Sequence, residues 1–127
     1  MLNQTAIYAI RAMGFLASEK EGEIVLSNTI AKEMSIPKNF LSKIMHRLVQ
    51  AGFVQSTRGR NGGFVLARKP SEIFIRDVID LFAKLDDYKQ CFLGLKNCDG
   101  SCGLHIRWNI IVEQFERMLN DTTIDQI

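Results

Sequence analysis

The chain has 127 residues, of which 46% are hydrophobic and 24% charged. That size and balance suit one folded domain with a real core and exclude a disordered chain. Net charge is only +2, but residues 1–69 carry 10 Lys and Arg against 4 Asp and Glu, whereas residues 70–127 carry 6 against 10, and a basic first half points to a polyanionic partner.

No apolar run approaches the length of a membrane span. The opening Met-Leu-Asn-Gln-Thr lacks the basic and apolar regions of a secretory signal. A cytoplasmic protein with no membrane partner is expected.

From Thr5 to Ala17, apolar residues recur at helical spacing and predict a mostly buried first helix. Charged Ser18 to Gly22 reads as a loop, and Ser27 is the expected N-cap of a second helix carrying Ile30, Ala31 and Met34 on one face. Ser35-Ile36-Pro37 breaks that helix, because the residue before proline avoids helical angles. A third helix runs from about Pro37 to Ala51, with Leu41, Ile44, Met45 and Leu48 as its core stripe and Gly52 as its C-terminal cap. Phe40, at the edge of that stripe, is assigned to the core rather than to a thymine methyl group.

Phe53 to Thr57 and Phe64 to Ala67 are strands around the glycine-rich tip Arg58-Gly59-Arg60-Asn61-Gly62-Gly63. A hairpin directly after a helix-turn-helix is a wing. An amphipathic segment follows from Ile73 to Leu85, then polar Asp86 to Gln90, the cysteine loop, and a last helix from about Leu104 to Asn120. In it Leu104, Trp108, Ile111, Phe115 and Met118 recur at gaps of four, three, four and three, a helix-packing seam assigned to a second copy of the chain in preference to the chain's own domain. Thr122 to Ile127 reads as a frayed end.

The expected architecture is mainly α with a small β wing. Residues 1–85 form a winged helix-turn-helix domain, 86–103 a cysteine-rich loop, and 104–127 a dimerisation helix and tail.

Removing the core stripe from the third helix leaves Lys38, Asn39, Ser42 and Lys43 facing outward near its start, with His46 and Arg47 further along. These residue types bond base edges and phosphates, and the first turns of a recognition helix reach the bases. At the wing tip Arg58, Arg60 and Asn61 match a narrow, electronegative minor groove. The expected partner is double-stranded DNA; the tip lacks the pattern of a nucleotide-binding loop and joins two strands.

Cys91, Cys98 and Cys102 are separated by six and three residues, and His105 lies a further three along. Three thiols in a reducing compartment suggest metal binding or redox chemistry over disulfides. Zinc accepts this donor set, although the first gap is wide for a structural zinc site. Iron-sulfur clusters tolerate wider gaps and histidine ligands. On spacing alone both remain open, as do free thiols packed as small apolar groups.

Four segments together resemble the Rrf2 family of bacterial winged-helix repressors, particularly its iron-sulfur branch: Tyr8-Ala9-Ile10-Arg11-Ala12, Ile36-Pro37-Lys38-Asn39-Phe40-Leu41, Arg58-Gly59-Arg60-Asn61-Gly62-Gly63-Phe64, and Cys102-Gly103-Leu104-His105-Ile106-Arg107-Trp108. The resemblance covers nearly the whole chain. It implies a homodimer with crossing C-terminal helices, acting on a pseudo-palindromic operator. It also implies one cluster per subunit, of 2Fe-2S or alternatively 4Fe-4S type, on Cys91, Cys98, Cys102 and His105, with Arg58 inserted into the minor groove. The gap between Cys98 and Cys102 is shorter than the branch's more even spacing. A transcription regulator and not an enzyme is therefore expected; a small electron carrier would share the cysteines but have no use for the recognition helix and wing.

Overall fold

A computed structural model describes every residue except Met1 and Asn61, and leaves aside the side chains of Asp86 and Asp87. Among the described residues there are five α-helices and one hairpin: α1 Gln4–Ser18, α2 Ser27–Glu33, α3 Lys38–Gln50, β1 Val54–Thr57, β2 Gly63–Leu66, α4 Ile75–Ile79 and α5 Gly103–Asp121. Asn3 caps α1, its side chain accepting from the backbone N–H of Ala6 at 2.8 Å. One buried cluster unites α1 to α4 with Val112 and Leu119 of α5, so the last helix shares the core of the winged region. Leu41, Ile44, Met45 and Leu48 contribute the third-helix stripe as expected, each burial stabilising by about 1.5–3 kcal/mol.

The two turns that define the motif use one device twice. After α2, Ser35 adopts φ 54° while the N–H of Ile36 bonds the carbonyl of Ala31 at 2.9 Å. After α3, Gly52 adopts φ 84° while the N–H of Phe53 bonds the carbonyl of Leu48 at 3.1 Å. A left-handed residue followed by a buried apolar one satisfies the last carbonyls and turns the chain sharply. The first such turn separates α2 from α3, and the second sends α3 directly into the wing.

The hairpin pairs Val54 with Leu66 through Thr57 with Gly63, antiparallel. Val25 adds a bridge, exchanging both backbone hydrogen bonds with Phe64 at 2.8 Å, so the wing leans on the α1–α2 connection.

Several local expectations are corrected. Helix α2 begins after Leu26, whose carbonyl accepts its first bonds, and no side chain caps it; Ser27 is already helical. Pro37 is likewise the cap of α3 and not its first helical residue. The Ile73–Leu85 segment is helical only over Ile75–Ile79.

The expected frayed end is ordered. Thr123 bridges Phe74, Ile124 is fully buried, and residues Ile124–Gln126 form a 3-10 turn closed by reciprocal Thr123 and Gln126 hydrogen bonds. Ile127 lies against Gly14, where a Cβ would come within 2.9 Å of its Cδ1. A short polar-looking segment has no period to betray burial, and here its partners are α1 and the start of α4.

Candidate nucleic-acid interface and cysteine loop

The core stripe of α3 turns the opposite side of the helix to solvent, where Lys38, Asn39, Ser42, Lys43, His46 and Arg47 are all exposed. The Ser42 hydroxyl donates to the carbonyl of Lys38 at 3.1 Å, so in this state its proton is committed within the helix. Phe40 departs from the core assignment, being 47% exposed. Adjacent residues stand roughly 100° apart around an α-helix, which carries Phe40 off the face that buries Leu41, and its ring meets Tyr8 of α1 at 6.3 Å between centroids. Arg58 and Arg60 are exposed at the wing tip; Asn61 lies outside the described residues.

The cysteine loop is anchored to α5 by residues that sequence reasoning passed over as a polar connector. Tyr88, in the 3-10 turn Asp86–Lys89, is buried and donates to Glu116 Oε1 at 3.2 Å. Lys89 Nζ pairs with the same oxygen at 2.8 Å. The Lys89 bond, helped by Tyr88, holds the Glu116 carboxyl below its ordinary range, while burial and then Glu116 push the Tyr88 phenol up. Trp108 Nε1 donates to the carbonyls of Tyr88 and Gln90 at 3.1 and 3.2 Å.

These contacts divide the expected seam of α5. Trp108 turns inward, and Phe115 meets the Tyr88 ring edge-on at 5.0 Å, so both serve their own chain. Leu104, Ile111 and Met118 remain exposed, joined by Ile106 and Ile110. Heptad spacing marks a stripe without saying which body covers each side of it.

Cys91, Cys98, Cys102 and His105 all line one cavity of about 100 Å³, whose other walls are Phe92, Leu93, Leu95 and Leu104. Cys98 Sγ stands 3.9 Å from His105 Nδ1, and Asn109 lies 3.1 Å from the other ring nitrogen, holding the imidazole on both sides. Backbone groups of Leu95 and then Leu93 bond the Cys91 sulfur and lower its pKa, favouring the thiolate that a metal needs. Asp99 accepts from the backbone N–H and hydroxyl of Ser101 at 3.0 and 2.6 Å, shaping the turn before α5. Among the described residues no three such side chains are gathered closely enough to hold a metal ion as they stand. The donor set, three soft thiols and an imidazole in a largely apolar pocket, fits an iron-sulfur cluster.

A family model described as an iron-dependent transcriptional regulator, Rrf2, matches residues 2–127. The chain belongs to the Rrf2 family. Its relatives include the HTH-type transcriptional regulator NsrR of Bacillus licheniformis, 36% identical over 94% of this chain and 86% of that protein. Solved Rrf2-like structures match the whole fold. CymR, the global cysteine regulator of B. subtilis, superposes with a TM-score of 0.84 at 24% identity, covering 99% of this chain and 94% of its own. IscR of T. potens gives 0.75 at 25% identity, covering 99% and 84%. This Rrf2 protein is thus a winged-helix regulator by family and not an enzyme. Among the described residues no helix is long and apolar enough to cross a membrane.

Proposed function

We propose that this Rrf2 protein is a cytoplasmic homodimer that binds a pseudo-palindromic operator with an affinity set by an iron-sulfur cluster on Cys91, Cys98, Cys102 and His105. The convergence of all four candidate ligands on one cavity carries the cluster reading, and the family's description as iron-dependent supports it. The three thiolates and the imidazole would hold the cluster, 2Fe-2S in preference to 4Fe-4S, which supplies redox activity and iron-dependent lability when bound. Tyr88 and Trp108 tie the loop to α5, so ordering of the loop is passed to the helix that bears the exposed apolar face. A shift of that helix resets the spacing of two recognition helices without any direct contact to DNA.

Lys38, Asn39, Ser42 and Lys43 would contact the major groove, in half-sites about one helical turn, roughly 34 Å, apart. Arg58, supported by Arg60 and Asn61, would enter the minor groove. Arg58→Ala is expected to weaken binding about tenfold, or roughly 1.4 kcal/mol, and to relax preference for A/T pairs beneath the wing. Titration of a selected operator at fixed salt checks this; equal affinity of variant and parent would remove Arg58 from the interface.

The homodimer is placed on the exposed side of α5, through Leu104, Ile111 and Met118 with Ile106 and Ile110. Met118 also borders an apolar groove formed with Leu2, Ile7, Ile10 and Ile127, which makes the uncovered surface continuous. Trp108 and Phe115 support that face from behind. Ile111→Glu would place a charge without a partner inside the dimer. Light scattering should find a folded monomer, and an unchanged dimer would move the interface elsewhere.

A further inference from the structure

We propose that Phe40 reads the 5-methyl group of a thymine in the major groove, an inference that rests on the DNA-binding reading above. Phe40 occupies the first turn of α3, where a recognition helix comes nearest the bases. Its ring is 47% exposed while the next residue, Leu41, is fully buried. An apolar ring left in water at that position gains free energy when a partner covers it.

The ring is braced from behind by α1, through Tyr8, which is itself held by Arg11. Tyr8 of α1 meets it at 6.3 Å with the planes inclined by 53°. The Arg11 guanidinium covers Tyr8 at 5.7 Å from the centroid and donates to the carbonyl of Met34, at the end of α2, at 3.4 Å. A braced side chain loses little rotamer freedom on docking. Its exposed neighbours in the same turns are Lys38, Asn39 and Lys43. Those groups suit a polyanion and base edges, whereas lysine is depleted at protein–protein interfaces. On the major-groove floor of B-DNA the apolar feature available to a phenyl ring is the thymine methyl.

The test uses full-length protein isolated anaerobically. An operator is selected from random duplexes, and each thymine is then replaced in turn by deoxyuridine, which removes the methyl group and keeps the pairing. Wild-type protein should bind about fourfold more weakly when one particular thymine per half-site is changed, the equivalent of one buried methyl group. Phe40→Ala should bind the thymine and deoxyuridine operators equally, with its melting temperature little changed. A selected operator indifferent to methyl removal at every position overturns the assignment through the wild-type protein alone, whatever the stability of the variant. Undiminished methyl sensitivity in Phe40→Ala overturns it as well. Wild-type protein that selects no duplex overturns the DNA-binding reading itself, and Phe40 readout with it.

Discussion

Anaerobically purified Cys98→Ala protein should lose its visible absorbance together with its bound iron and sulfide, while keeping its melting transition. Cys98 stands 3.9 Å from His105 and is hydrogen-bonded to the Cys91 sulfur, so it meets two of the other candidate ligands. Alanine there removes one of three thiolates, and thiolate ligation is what holds an iron-sulfur cluster. The fold should survive because Cys98 is exposed and outside the buried cluster. His105→Ala should be milder, and His105→Cys should keep the colour and lower the reduction potential, since imidazole in place of thiolate raises it. Visible spectra with iron and sulfide analysis decide the matter. Wild-type protein that binds neither, when supplied with both, defeats the cluster reading; an unchanged spectrum in Cys98→Ala moves the ligand set.

The second large effect concerns stability and falls at the end of the chain. Ile124 is fully buried, and its N–H bonds the carbonyl of Ile73 at 2.9 Å. The N–H of Ile75 in turn bonds the carbonyl of Thr122 at 2.9 Å. The tail is therefore paired with the start of α4 by backbone and packed beneath it by side chain. Ile124→Ala should cost about 3 kcal/mol, lowering the melting temperature by roughly 10 °C in a chain of this length. Removing residues 123–127 should cost more, since Ile73 would also lose its backbone partner. Calorimetry that finds the truncated chain as stable as the parent would mean that these contacts contribute nothing in solution.

Strongly periodic elements were legible without coordinates. The stripe Leu41, Ile44, Met45 and Leu48 falls on one side of α3 at 3.6 residues per turn, and burying that side exposes Lys38, Asn39 and Lys43 whatever lies beneath. The glycine-rich tip between two short apolar runs could close only as a hairpin, and β1 and β2 are paired around it. The cysteine and histidine spacing likewise marked a candidate ligand set for the proposed cluster.

What eluded the sequence shares one physical cause, that burial belongs to pairs of surfaces and a linear pattern describes only one of them. The heptad of α5 is one stripe in sequence, yet Tyr88 and the loop claim Trp108 and Phe115 while Ile111 and Met118 stay in water. Phe40 sits at the margin of its stripe, and only the position of Tyr8 decides that its ring is braced yet uncovered. Thr123 and Ile124 have no periodic context, and become buried because the carbonyl of Ile73 and the N–H of Ile75 pair with the backbone of the tail. The amino-acid sequence by itself determined the helix-turn-helix, the wing and the candidate ligands, since each follows from local spacing and turn chemistry. Tertiary structure alone decided which apolar side chains of α3 and α5 remain uncovered and that four separated candidate ligands line one cavity, because those depend on contacts between residues apart in the chain.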